Sequence, residues 1–479
     1  MHSSPSEQSM AHHHHHGLPL LVIGAGPKSL ALAAKAAVLR AVGCDAPEVV
    51  VVERDRVGAN WREGSGWTNG RQALGTRPEK DLGFPYRGDS WGAGIGPRVS
   101  RQMTRFSWTT YLVHQGTYAD WVDRGQPHPN HREWADYLDW AAGQASARVI
   151  AGEVRGIETD GQAWDLTLAA ESGERRLRGC GLVVSGPGPC KGVIPIDGLN
   201  AFDAAGFWRR ATSVGFGRAT SAVVIGAGET AGSVVRELIR TTECAVTVVT
   251  PRATLYSRGE SHFENRYYSD PSGWTSLSQA DRVEFIRRTD RAVFSQAIQG
   301  ELARTSRVTW QPGRVTSARV GGGVELTVEY DGNCTDLAAD LVVDATGGDP
   351  LWFTGLLGQE ARTALEAAIG GSVSRQRIDR AIGSDLAPIG LEPKLHMPNL
   401  AGLAQGPGFP NLSCLGLLSD RILASYTRPG RHHPNGKSVG APPIRHDLTR
   451  PNRPPARPGP TPEARPSEFT QITEGVAHR

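Results

Sequence analysis

The chain has 479 residues, 39% of them apolar, and a formal net charge of +3; that length exceeds what one core usually organises, so two packed domains with appendages are expected. From Thr427 onward nine Lys or Arg stand against four Asp or Glu, which leaves the rest of the chain slightly acidic, and no basic stripe interleaved with aromatics offers a nucleic-acid surface. No apolar run approaches the roughly 18 residues of a transmembrane segment, so a soluble, cytoplasmic protein is expected; six scattered cysteines without a CxxC pair argue against a zinc ribbon or dithiol centre, and they read as buried free thiols with no metal site.

In chain order, residues 1–17 with the run His12–His16 read as a tag or disordered leader. LPLLVIGAG, PKSLALAAKAAVLRAV and EVVVVERD then predict a strand, a glycine turn, a helix and a second strand, which is a βαβ unit. In its turn Gly24 makes the tight bend, Gly26 lets backbone N–H groups approach a pyrophosphate, and Ser29 is the small residue where helix packs on strand. Glu53 ends the second strand, placed to accept from a ribose 2′-hydroxyl, so this unit is expected to hold the ADP half of FAD. EWADYLDWAA, from Glu133, reads as a helix, and Leu182 to Ser185 before GPGP as a strand ending in a turn.

From Ser221 the pattern returns: SAVVIGAG, ETAGSVVRELIRT and AVTVVTPR form a second βαβ unit. Gly226, Gly228 and Ala231 repeat the loop, but the strand after it ends in Thr250, Pro251 and Arg252 without a carboxylate. An acid there would repel a 2′-phosphate and Arg252 attracts one, so NADPH is expected. The later strand DLVVDATGG, from Asp340, is expected to lead back toward the first domain. The Pro- and Arg-rich stretch from Thr427 buries too little apolar surface to offset its ordering entropy and reads as disordered. The expected fold is α/β with two Rossmann-like dinucleotide-binding domains: an FAD domain over 18–211 and 341–426, an NADPH domain inserted over 212–340, a small substrate region shared between them, and a tail over 427–479.

Two dinucleotide sites in one chain imply hydride passage from nicotinamide to flavin. With no cysteine pair, haem motif or iron–sulfur spacing to receive the electrons, dioxygen is the most economical acceptor, and a monooxygenase is the expected class.

GAGPKSL, ANW with its following glycine-rich turn, EKDLGFPY, FSWTTYL, HREWADYLDWAA, GAGETAGS, HFENRYYSDPSGW, DATGGDPLWF and QGPGFPNLSCLGLLSDRIL carry a resemblance over Leu20 to about Ser425. Together they resemble the flavin-dependent N-hydroxylating monooxygenases of siderophore biosynthesis, nearest the actinobacterial mycobactin and nocobactin branch that acts on lysine. The resemblance implies that Lys80 meets the substrate α-carboxylate, that Asn265 contacts the amino-acid head group, and that Ser413 lines the site. Asp290 falls where ornithine enzymes carry an asparagine and is taken as a binder. Pro27 and Trp61 lie in the flavin-site motifs, Glu229 and Thr230 in the nicotinamide loop. Leu74 and Gly75 stand where ornithine enzymes place Met and Gln beside the isoalloxazine, and ATGG, Ala345 to Gly348, replaces ATGY.

The implied activity is N6-hydroxylation of L-lysine: NADPH reduces FAD, dioxygen gives a flavin C4a-hydroperoxide, and the amine attacks its distal oxygen, with no catalytic side chain assigned. An amine with a pKa near 10.4 must first be neutral. L-lysine, dioxygen, siderophore assembly-line enzymes and a homo-oligomeric state are the implied partners. The alternatives are ornithine N5-hydroxylation and a Baeyer–Villiger or dimethylaniline-type monooxygenase, whose FxGxxxHxxxW signature is not found before Ser221. A nucleotide-binding scaffold working through its basic tail is the non-enzymatic alternative.

Overall fold

A computed structural model describes residues 17–64 and 67–428. Residues 1–16 of the expected leader, and the expected tail beyond Arg428, lie outside the described residues. Thr427 is buried and Arg428 pairs with Asp45, so the ordered body includes the first two residues assigned to the tail.

The first βαβ unit comprises β1 (Leu20–Ile23), α1 (Pro27–Ala41) and β2 (Val49–Glu53). Both strands are runs of buried aliphatic residues, as a parallel sheet covered on two faces requires. Their five-stranded sheet runs Leu395–His396, Gly181–Val184, β1, β2, Arg148–Ala151, and every pairing is parallel.

The second unit comprises β3 (Ser221–Ile225), α2 (Glu229–Thr241) and β4 (Ala245–Thr250). Its sheet runs Ala201–Asp203, Leu341–Asp344, β3, β4, Val308–Pro312, again all parallel. The late strand therefore pairs with β3 and not with the first sheet. The second sheet reaches past the expected 212–340 span at both ends, because Leu341–Asp344 and Ala201–Asp203 supply its neighbouring strands.

The repeat is of whole modules. In each, the fourth strand enters beside the first, at Leu20↔Gly181 and at Ala222↔Leu341. In each, a three-stranded antiparallel sheet precedes that strand, over residues 153–179 in one module and 314–339 in the other. The modules are joined by two peptides that run side by side: Cys190 bridges Gly348, the Asp349 N–H donates to the Pro189 carbonyl at 2.8 Å, and the Val193 N–H donates to Asp344 Oδ2 at 2.7 Å.

The expected helix at Glu133 spans His131–Gln144 and is closed by a capping box between Asn130 and Glu133. Three shorter helices position site residues: α3 (His262–Ser269), α4 (Gln279–Thr289) and α5 (Leu415–Leu423). α1 packs on α5, and a buried Lys35–Asp420 ion pair, with Trp91 Nε1 also donating to Asp420, locks the two together. Of the six free cysteines, Cys44, Cys244 and Cys414 are buried, whereas Cys180 and Cys190 are half-buried and Cys334 on an edge strand is exposed, which corrects the expectation that all are buried.

Candidate functional site

Gly24 adopts φ +93° and Gly226 φ +118°, backbone that β-carbon-bearing residues rarely accept. A Cβ on Gly24 would approach Ser185 Oγ at 3.3 Å, and one on Gly226 would approach the Ala345 carbonyl at 2.6 Å. Ser185 and Ala345 follow equivalent strands in the two modules, so each glycine lets its loop cross the adjoining strand end.

Gly26 and Gly228 are the N-caps of α1 and α2. Neither helix has a side-chain cap, and a Cβ on either glycine would meet open space. By contrast Ser107, Asn130, Asp203, Ser261 and Ser278 cap their helices with side-chain acceptors. The orphan N–H groups at two helix N-termini, each behind a bare glycine, fit a pyrophosphate. Pro27 takes the first helical position, and Ser29, fully buried, donates to the Gly24 carbonyl and meets Ser185 Oγ at 3.0 Å.

The difference between the modules lies at the ends of β2 and β4. Glu53 Oε2 accepts from the Ala25 N–H at 2.7 Å, so its carboxylate stands against the first loop. At the equivalent end of β4, Arg252 lays its guanidinium 4.6 Å over the Tyr256 ring and donates to the Arg287 carbonyl at the end of α4. Among the described residues no acid pairs with Arg252. The first site therefore suits a free ribose hydroxyl and the second a phosphate.

Beside the first glycine loop, Leu74 is buried in a cluster with Leu30 and Ala31, and Trp61 packs edge-on against His131 at 4.9 Å. Gly75 lies where the modules meet. A Cβ there would come within 3.1 Å of Glu229 Oε1; Arg258 donates to the Gly75 carbonyl at 3.1 Å and pairs with Glu229. Gln72 Nε2 donates to Glu237 on α2 at 3.0 Å. A glutamine at 75 would compete with Glu229 for this space, which accounts for the glycine. Burial raises the Glu229 pKa against the opposing Arg258 charge. Thr230 follows in the first turn of α2. At the other departure, a Cβ on Gly348 would lie 2.2 Å from the Pro187 carbonyl, so the paired connecting peptides leave no room for a tyrosine.

The residues assigned to substrate converge from both modules. Lys80 Nζ donates to Asn265 Oδ1 on α3 at 3.2 Å, and Asn265 Nδ2 donates to the Glu260 carbonyl at 2.8 Å. Lys80 does not pair with the adjacent Asp81, whose buried carboxylate accepts from Tyr86, Gly83 N–H and Trp108 N–H. Burial lowers the Lys80 pKa, opposed by Glu260. Ser413 is buried just before Cys414, whose thiol is pushed up to about 12 by burial despite the cations Arg421, Lys28 and Lys80 around it. Asp290 ends α4 and lies 3.5 Å from Arg291. It makes no hydrogen bond or ion pair with Lys80 or Asn265 among the described residues, and it joins the group through the charge of Lys28.

Two residues that sequence reasoning passed over belong here. Arg258 bridges the modules but carries no periodic or motif signal. Lys28 sits inside GAGPKSL and donates to the Pro410 carbonyl at 2.7 Å, a contact between residues 382 positions apart. Among the described residues no helix is long and apolar enough to cross a membrane.

A family model described as L-lysine 6-monooxygenase/L-ornithine 5-monooxygenase matches residues 101–305. The chain is 45% identical over 440 residues to the L-lysine N6-monooxygenase MbtG of Mycobacterium sp. (strain MCS), covering 89% of this chain and 99% of that protein. It is 43% identical over 430 residues to MbtG of Mycobacterium tuberculosis (strain H37Rv), covering 88% and 97%. Among solved structures it is similar to the lysine monooxygenase NbtG from Nocardia farcinica, at 45% identity and a TM-score of 0.76 over 84% of this chain and 98% of that one. An ornithine N-hydroxylase of Kutzneria sp. 744, solved with reduced FAD, NADP⁺ and L-ornithine, shares the fold at 19% identity and a TM-score of 0.65 over 85% and 98%.

Proposed function

The chain belongs to the L-lysine 6-monooxygenase/L-ornithine 5-monooxygenase family, and from that premise we propose that it hydroxylates N6 of L-lysine, using FAD, NADPH and dioxygen, in the making of a hydroxamate siderophore. Relatives named for lysine over nearly their whole length favour that substrate over ornithine.

In this reading the first glycine loop holds the FAD pyrophosphate with the N–H groups at the start of α1, Glu53 receives the ribose hydroxyls, and Pro27, Ser29, Trp61, Leu74 and Gly75 shape the flavin side. The second loop, with Glu229 and Thr230, holds NADPH, and Arg252 receives its 2′-phosphate as a charge-assisted partner. Bound FAD, once reduced, supplies the activation of dioxygen. The chain itself binds and orients: Lys80 pairs with the α-carboxylate, Asn265 and Ser413 contact the head group, and Asp290 attracts the α-ammonium. The observation that carries this reading is the 3.2 Å contact between Lys80 and Asn265, which joins a lysine of the flavin module to an asparagine of α3. Partner enzymes of siderophore assembly, a homo-oligomeric state and a cytoplasmic location complete the proposal.

The test supplies FAD-loaded protein with NADPH and, in separate reactions, L-lysine, L-ornithine and an acylated lysine, with products read by mass spectrometry. N6-hydroxylysine is expected from L-lysine. NADPH consumption without hydroxylated lysine at any lysine concentration overturns the proposal.

A further inference from the structure

Asp81 follows Lys80 directly, is 2% exposed, and turns its carboxylate into the protein. Its Oδ1 accepts from the Tyr86 hydroxyl at 2.7 Å and the Gly83 N–H at 3.1 Å, and its Oδ2 accepts from the Trp108 N–H at 2.8 Å, where the helix Trp108–Gln115 begins. An amide could accept at only one of these two oxygens. Tyr86 adopts φ +59°, which a bulky residue rarely takes, and its ring lies so close to Gly83 that a Cβ there would collide with it. The chain from Lys80 to Arg87 is thus wound tightly around one buried carboxylate.

This turn meets the rest of the site at three places. At its start Lys80 Nζ donates to Asn265 Oδ1 at 3.2 Å, and at its end Arg87 pairs at 3.0 Å with Asp270, the C-cap of α3. Between them the Phe84 carbonyl accepts from the Gly416 N–H, in the first turn of α5, at 2.7 Å; a Cβ on Gly416 would collide with the Gly83 carbonyl. Gly416 lies three residues after Ser413. The shape of the turn therefore sets where Lys80 stands relative to both Asn265 and Ser413.

We propose that Asp81 is a positioning residue for substrate binding: by holding the 80–87 turn in one shape, it aims the Lys80 ammonium at the substrate's α-carboxylate. The inference rests on the reading in which Lys80 pairs with that carboxylate. Asp81 acts through Lys80, because its own oxygens are engaged by protein donors. A turn free to change shape would have to be ordered each time substrate binds, at a cost in affinity.

The test is a double-mutant cycle on the FAD-loaded enzyme at saturating NADPH, comparing wild type, Asp81→Asn, Lys80→Met and the double variant. For each, kcat and KM for L-lysine are measured, with flavin content as a check on folding. The inhibition constant of L-lysinamide, in which an amide replaces the carboxylate, is measured alongside. Asp81→Asn is expected to raise KM for L-lysine about tenfold and to change kcat less than about threefold, the pattern of lost uniform binding. Lys80→Met is expected to raise KM further, and the double variant to be no weaker than Lys80→Met, since nothing is then left to aim. Inhibition by L-lysinamide is expected to be the same in Asp81→Asn as in wild type. Tyr86→Phe, which removes one donor and keeps the ring, is expected to raise KM for L-lysine about threefold, and it decides the matter should Asp81→Asn not hold flavin. An unchanged KM in the deciding variant, additive effects of the two substitutions, or an equal loss for L-lysinamide overturns the inference. A KM for L-lysine insensitive to Lys80→Met, or absence of hydroxylysine from wild type, instead overturns the reading on which it rests.

Discussion

At the scale of single residues, the contrast between Glu53 and Arg252 was legible because it depends only on what ends the strand after a glycine loop. Arg252→Ala is expected to raise KM for NADPH by roughly tenfold or more while leaving KM for NADH nearly unchanged, since only the phosphorylated ribose loses a partner; steady-state kinetics with both cofactors checks this. His131 was not legible as a special residue. Its Nδ1 lies 2.9 Å from Thr68 Oγ1, and burial, with Arg236 nearby, lowers its pKa to about 4. The unfolded chain then binds the proton first, at about 6.5. The stability that neutral His131 contributes is whole above that value and is lost as pH falls toward 4, on the order of 1–2 kcal/mol by pH 5. The difference in melting temperature between wild type and His131→Gln is expected to shift against wild type between pH 7 and 5. Lys28 and Arg258 escaped sequence reasoning for another reason: their partners at Pro410 and at Gly75 and Glu229 are distant in the chain, and no local pattern announces such pairs.

At the scale of elements, the two βαβ units and the helix after Asn130 could be read from periodicity, because each is a run of buried aliphatic or regularly spaced apolar residues. The antiparallel three-stranded sheets were invisible. Their outer strands, such as Gly173–Gly179 and Asn333–Ala339, face solvent on most positions and carry little alternation. A different limit hid Ala201–Asp203, which is buried but only three residues long, and with it the true edge of the second sheet. The glycine of ATGG was noticed as a missing tyrosine, and its cause lies in the neighbouring peptide. Gly348→Tyr is expected to destabilise the fold by at least about 2 kcal/mol, a loss of several degrees in melting temperature, since the Pro187 and Gly188 carbonyls occupy the space of its side chain.

At the scale of the molecule, the second glycine loop is held against the first module by Arg258, which reaches the Gly75 carbonyl and Glu229 together. Arg258→Ala leaves the half-buried Glu229 without its counter-charge. Anaerobic reduction of the bound flavin by NADPH is expected to slow by about tenfold with flavin content maintained, as stopped-flow absorbance at the flavin band would report. An unchanged reduction rate would show that this bridge does not align the two cofactors.

The two connecting peptides are hydrogen-bonded to each other from Pro189 to Asp349 and from Val193 to Asp344. A pair of strands fastened in this way behaves as a strap: it flexes readily across its flat face and resists shear within its plane. Any relative travel of the two modules must therefore carry both peptides along together, and leaving the present arrangement must also break the Arg258 contact at Gly75 and the Gln72–Glu237 contact beside it.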